Sequence, residues 1–226
     1  MAAYRRATLG AEALLDAATK AGSGRFVYIS STHVYGAQVG VKNEGSPVDP
    51  QSHYALAHFC TEQLFRRRAA VCQGSYAVLR PNAVYGLPAH PESFQRWSLI
   101  PFSFPSEAKR EGRIVLKSSG LQRRNFVSTA AIADVVARCV EGDLAEATGA
   151  VNVLGSETES VYEFAQRCRK IAEEQLGRPC KVERPMSSLD SPNAGIGSDF
   201  SLVSRFGQQR PAEELNDFIR QFVTLC

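Results

Sequence analysis

The sequence predicts an α/β fold built on a parallel sheet, and three observations carry that prediction. Strand-like and helix-like stretches alternate along the chain. Phe26-Val27-Tyr28-Ile29 is a continuous apolar run, the pattern of a short strand buried on both faces. The run turns hydroxyl-rich at Ser30-Ser31-Thr32, where such a strand ends. In open α/β sheets, ligands gather outside the carboxyl ends of the strands. Ser31 therefore stands at the mouth of a site or, with Ser30 and Thr32, caps a turn.

Taken in order, Thr8 to Ala21 reads as a helix, with Leu9, Ala13, Ala17 and Ala21 at i, i+4 spacing and Gly22 and Gly24 ending it. Gly22-x-Gly24 is no dinucleotide fingerprint, because that motif follows a strand and opens a helix. Gln51 to Val71 is a second helix, with Tyr54, His58, Thr61 or Glu62, and Phe65 on one face. Ala77 to Arg80 is a second core strand. Pro81 to Pro105 reads as loop, with five prolines, and Ser106 to Glu111 as a helical turn. Ile114 to Leu116 is a short strand, Ile132 to Val140 a helix, and Val151 to Leu154 a third core strand. Ser160 to Leu176 is a long amphipathic helix ended by Gly177 and Pro179. Lys181 to Pro185 is extended, Ser187 to Ser198 loop, and Pro211 to Leu225 the last helix.

The 226 residues are 44% hydrophobic and 22% charged, which suits a globular chain with one sizeable core or two small ones. A net charge of +3, with no basic block interleaved with aromatics, argues against a nucleic-acid partner. Arg66-Arg67-Arg68 reads as the solvated end of a helix. Six scattered cysteines without a C-x-x-C pair fit a reduced, cytoplasmic protein and give no metal-ligand spacing. The first residues have no long apolar core, so no signal peptide is expected. No run approaches the ~18 apolar residues of a membrane span, so no membrane partner is expected.

Four stretches occur in a telling order: SSTHVYG from Ser30, Tyr54 and His58 four apart in SHYALAHFCTEQLF, LRPNAVYG from Leu79, and RRNFV from Arg123. This order resembles the extended short-chain dehydrogenase/reductase family, the NAD(P)-dependent epimerases and dehydratases of nucleotide sugars. The resemblance runs from about residue 8 to the C-terminus. It implies a partial Rossmann-like parallel sheet, its N-terminal strands and Gly-x-x-Gly-x-x-Gly turn missing, with a smaller α/β substrate-binding lobe. Residues 1–86 and 131–154 would form the truncated Rossmann-type domain, and 87–130 and 155–226 the lobe.

The resemblance also implies roles. Ser31, Tyr54 and His58 are the catalytic positions. Ser30, Tyr54, His58 and Pro81 face the cofactor, NAD or NADP. His33, Asn82 and Arg124 face the nucleotide sugar, Arg124 as the forked partner of a diphosphate. No metal is implied. The family's tyrosine acts as general acid/base beside a lysine one helical turn on, and a phenol of ordinary pKa ~10 needs that cation to work as a base at neutral pH. Here the lysine position is His58, an imidazole of ordinary pKa ~6.5. Dehydratase members carry an acid pair where this chain has Thr32-His33, which disfavours a dehydratase. After the Arg-Asn-Phe stretch, Ala130-Ala131 replaces an aspartate pair, so a helix-capping acceptor is expected to be lost.

Two functions follow as expectations. One is an epimerase or reductase homologue that is not competent alone, either an enzyme remnant or an enzyme half completed by an N-terminal chain. The other is a non-catalytic nucleotide-sugar-binding or regulatory module. The resemblance further implies a homodimer through helices 8–21 and 51–71, with Leu14 near the seam.

Overall fold

The structure, a computed structural model, describes residues 2–141, 148–185, 195–207 and 215–225, with side chains from residue 8 onward. It opens with α1 (Ala2–Lys20), β1 (Arg25–Ile29), a 3-10 turn (Thr32–Tyr35), β2 (Val41–Lys42), α2 (His53–Val71), β3 (Ser75–Pro81) and β4 (Ala83–Tyr85). Next come α3 (Ile100–Glu111), β5 (Arg113–Val115), β6 (Arg123–Ser128), α4 (Thr129–Glu141) and β7 (Gly149–Val153). The chain continues through β8 (Glu157–Ser160), α5 (Val161–Leu176), β9 (Lys181–Glu183), β10 (Ser201–Leu202) and α6 (Leu215–Leu225). Most of the expected 187–198 loop and the start of the expected last helix lie outside the described residues.

The three strands read as core pair in parallel in the order β1-β3-β7, Phe26 facing Tyr76 and Val78 facing Ala150 in register. Successive side chains alternate across this sheet. Phe26 joins Leu15, Phe65 and Ala69 under α1 and α2, while Ala77, Leu79, Val151 and Val153 face Ala131, Val135 and Cys139 of α4. The result is a helix–sheet–helix sandwich, the partial Rossmann-like sheet the pattern called for. β1 lies at the open edge.

The second body of the fold is an aromatic core. It gathers Tyr85, Phe102, Phe104, Phe126, Phe164, Phe218 and Phe222 from strands β4 and β6 and helices α3, α5 and α6. Phe126 stacks on Phe164 with ring centroids 4.4 Å apart. Its neighbour on β6, Val127, points the other way and is buried in the sheet core with Ala77 and Ala131. One strand thus serves both cores, a face to each.

Three expectations need correction. The region read as loop to Pro105 contains a helix, α3, from Ile100. Pro101 sits in its first turn, where no backbone donor is needed, and the Phe102, Phe104 and Ala108 face buries against α5 and α6, which outweighs the break at Pro105. α1 starts well before Thr8. And α4 keeps a capping acceptor despite Ala130-Ala131: it begins earlier, and Ser128 Oγ accepts the Ala131 N–H at 3.0 Å. No helix among the described residues is long and apolar enough to cross a membrane.

Candidate active site

The site forms where β1 ends and α2 begins. Ser52 starts α2 by accepting the Ala55 N–H on its hydroxyl at 3.1 Å. That start places Tyr54 in the first turn, His58 one turn on and Glu62 a turn further, along one face. The face runs from solvent to core: Tyr54 is 55% exposed and Glu62 3%. At the strand end, Ser31 caps the 3-10 turn, its Oγ accepting the His33 N–H at 3.3 Å. The turn closes at Gly36, whose φ of 73° suits glycine.

These two segments bring the predicted residues together. The His33 and Tyr54 rings lie edge-on at 5.8 Å, and Tyr54 and His58 at 4.5 Å. His58 Nδ1 is 2.7 Å from the Tyr28 hydroxyl. No described residue bonds the Tyr54 hydroxyl or His58 Nε2. Burial lowers the His58 pKa and nearby His33 adds to this, against the pull of Glu62, so the imidazole is neutral at pH 7. His33 is lowered too, by its surroundings first and by the Arg124 charge second, although its side chain reaches the surface. Burial pushes Tyr28 up to about 12.

Beneath lies a buried polar network. Arg80 grips Glu62 in a fork, Nε to Oε1 at 2.9 Å and Nη2 to Oε2 at 2.5 Å. Ser30 donates its hydroxyl to Glu62 Oε1 at 2.5 Å, which turns this residue inward. Arg80 also covers the Tyr35 ring at 4.9 Å, and Tyr35 donates to Asn152 Oδ1 at 2.7 Å. Burial disfavours the Arg80 charge, and Glu62 more than offsets it, leaving the pKa raised.

Asn82 is fixed from both sides. Its amide donates to Thr32 Oγ1 at 2.7 Å and Gln38 Oε1 at 2.9 Å, and its carbonyl accepts the Asn125 N–H at 3.1 Å. Pro81, the last residue of β3, is buried. Arg124 donates to the Arg123 carbonyl at 2.7 Å, and among the described residues no carboxylate pairs with it. Burial lowers its pKa, the mark of a guanidinium that gains from an anion. A separate cavity of about 340 Å³, bounded by Lys109, Gln175, Leu176, Val223 and Thr224, contains none of these residues. Among the described residues no group of three or more His, Cys, Asp or Glu is placed to hold a metal.

A family model, the NAD dependent epimerase/dehydratase family, matches residues 2–155. The chain belongs to that family. Mouse dTDP-D-glucose 4,6-dehydratase is 30% identical to this epimerase/dehydratase-family chain over 126 residues, 55% of the chain and 34% of the mouse protein. The human protein of the same name is 29% identical over 119 residues, 52% and 32% respectively. The matched segment therefore covers about a third of the length of these curated relatives. Among solved structures, UDP-glucuronic acid 4-epimerase from Bacillus cereus, with UDP-glucuronic acid and NAD, superposes with a TM-score of 0.77 at 17% identity, over 98% of this chain and 68% of that one. The dTDP-glucose 4,6-dehydratase of Streptomyces venezuelae, with NAD and TYD, gives 0.73 at 21%, over 98% and 65%. At such identities the likeness is one of fold.

Sequence reasoning missed Tyr28 and the Glu62–Arg80 pair of this family member. The signal was present for the pair: a carboxylate on the core face of a helix and an arginine closing an apolar strand imply each other, because buried charges need partners.

Proposed function

We propose that this chain forms the nicotinamide-side and substrate-side walls of an NAD(P)-dependent nucleotide-sugar epimerase or reductase site, and that it does not turn over substrate alone. The observation that carries this is the exposed Tyr54, its hydroxyl free, edge-on to a neutral His58. The residues fit one end of a dinucleotide: a phenol and an imidazole Nε2, each without a hydrogen-bond partner among the described residues, lie beside the turn that Ser31 caps. The sequence holds no Gly-x-x-Gly-x-x-Gly turn for the pyrophosphate. NAD or NADP, when bound, supplies the hydride acceptor.

The chain's own residues then divide the work. Ser31 offers its proton to a sugar oxygen, its lone pair already holding the His33 N–H. Tyr54 is the acid/base that moves the proton of that oxygen. His58 holds a ligand hydroxyl but leaves Tyr54 without the permanent cation that favours a phenolate. Arg124 takes the diphosphate as a fork, beside His33. Asn82 holds the Ser31 turn against β6. Thr32, fully buried and bonded by Asn82, is not an acid, which supports epimerase or reductase over dehydratase chemistry.

Further readings belong with this one. Residues 1–86 and 131–154 form the Rossmann-type domain, and 87–130 and 155–226 the lobe. The edge of β1 is open to pairing with a further strand. Two copies pair through α1 and α2, where Leu9 and Leu14 are 57% and 64% exposed. The six scattered cysteines, without a C-x-x-C pair, support a cytoplasmic location.

A second reading, a non-catalytic nucleotide-sugar-binding module, is favoured by Arg124, which lies near His33 and has no carboxylate partner among the described residues. Calorimetry decides. UDP-glucuronic acid should bind, Arg124→Met should abolish that binding, and NAD should bind weakly or not at all. Micromolar NAD binding would overturn the incompetent-alone reading, and silence with UDP-glucuronic acid would overturn both.

A further inference from the structure

The Tyr28–His58 contact is unlike the rest of the site. Tyr28 lies on β1, 30 residues from His58, and its hydroxyl is 2.7 Å from Nδ1. That separation suits a hydroxyl donor and lies at the short end of the ~2.7–3.2 Å range of an N–H donor to oxygen. The Tyr28 ring is wedged against Phe65, centroids 5.0 Å apart, and leans on the imidazole at 5.8 Å, so the hydroxyl has little freedom to turn elsewhere. Thr61, the other hydroxyl close to Tyr28, gives its own proton to the Ala57 carbonyl at 2.9 Å and so can only accept from Tyr28, but the geometry makes Nδ1 the partner of the Tyr28 hydroxyl. The His58 ring also lies against the Tyr54 ring at 4.5 Å, and Nε2 has no hydrogen-bond partner among the described residues.

We propose that Tyr28 is the positioning residue for His58: it donates to Nδ1, fixes the imidazole as the Nε2–H tautomer, and so sets a single neutral hydrogen-bond donor facing a ligand hydroxyl beside Tyr54. The inference rests on the reading of the Tyr54 edge as the ligand site. A neutral imidazole needs one nitrogen as acceptor, and whichever partner donates to it decides which nitrogen keeps the proton. Tyr28 always has a proton to give, since burial holds it in the phenol form. A lysine would offer three donors and a charge; this pair offers one donor, no charge, and a fixed direction. The position thus selects a neutral oxygen acceptor, such as a ribose or sugar hydroxyl, over an anionic one.

The test is long-range 1H–15N correlation on the full chain labelled with 15N-histidine. The four histidines are few enough to assign, His58 by the signal lost in His58→Gln. The expected spectrum has His58 protonated at Nε2 with Nδ1 as acceptor. Tyr28→Phe, which keeps the ring on Phe65, should lose that preference and give a mixture of tautomers. An Nδ1–H tautomer in the unmodified chain overturns the proposal, as does an unchanged tautomer in Tyr28→Phe. Should Tyr28→Phe fail to fold, the spectrum of the unmodified chain decides alone. Adding UDP-glucuronic acid should then move the Nε2–H signal. A fixed tautomer with an unmoved signal would sink the ligand-facing half and the site reading, while leaving the Tyr28 assignment standing.

Discussion

Arg80 and Glu62 meet through two parallel hydrogen bonds in the protein interior, with side chains only 6% and 3% exposed. Breaking such a pair from one side strands a buried charge, so Glu62→Ala or Arg80→Ala should each cost about 3–5 kcal/mol in urea denaturation. The double replacement Glu62→Leu with Arg80→Met should recover most of that loss. If the single variants lose under ~1 kcal/mol, the pair is wetter than its burial implies.

A lysine at position 58 should restore a cation beside Tyr54. In a fusion supplying a relative's glycine-turn half, turnover with UDP-glucuronic acid should be slow with His58 and rise by ~10²–10⁴-fold in His58→Lys, the usual worth of general acid/base catalysis. Tyr54→Phe should remove the gain. A fusion already fast with His58 would disprove the pairing of these two residues.

Stability should fall in mild acid. The unfolded chain takes up a proton at His58 near the ordinary value of 6.5, while burial holds the folded value lower. Between those values the unfolded state binds more protons, so stability is full above about pH 7 and declines as pH drops through ~6.5 toward the folded pKa. His33 acts in the same direction. Denaturation midpoints across this range should flatten in His58→Gln; an equal slope would remove His58 as the cause.

Gly36 should tolerate no side chain. A Cβ there would lie 2.3 Å from the Asp49 carbonyl oxygen, on backbone already at positive φ. Gly36→Ala should therefore cost at least ~1–3 kcal/mol and displace the turn that carries Ser31 and His33. Circular dichroism melts and the His33 ring signals would report it.

Leu14→Glu should leave the fold intact, because Leu14 is 64% exposed, yet abolish self-association through α1. Light scattering should show a dimer for the unmodified chain and a monomer for the variant. A monomer in both would refute the helix-to-helix pairing.

The parallel sheet was legible because its strands are apolar on both faces, and α5 because its hydrophobic positions recur at helical spacing, while α2 was placed by Tyr54, His58, Glu62 and Phe65 falling on one face. What escaped was local pattern overruled by tertiary contact. Pro101 and Pro105 disguised α3, whose helical state rests on burying Phe102 and Phe104. Strand β8 reads Glu-Thr-Glu-Ser, a sequence with no strand signal, and is held by antiparallel pairing to Arg123–Phe126 and by Arg167 reaching both glutamates. At the site, His33, Tyr54 and His58 were singled out from motif order, and their rings lie against one another, with Ser31 bonded to the His33 N–H. Tyr28 was not, since a tyrosine inside an apolar strand reads as packing until its hydroxyl is seen beside a residue 30 positions away.

The back-to-back placement of Phe126 and Val127 on β6 bears on protein engineering. The lobe cannot be grafted onto a relative as a cassette, since any cut that takes Phe126 with its aromatic partners also takes the strand whose other side completes the sheet core. A chimaera that exchanges the aromatic half must exchange both sides of β6 together, along with α4, or accept a cavity in whichever half keeps the foreign strand.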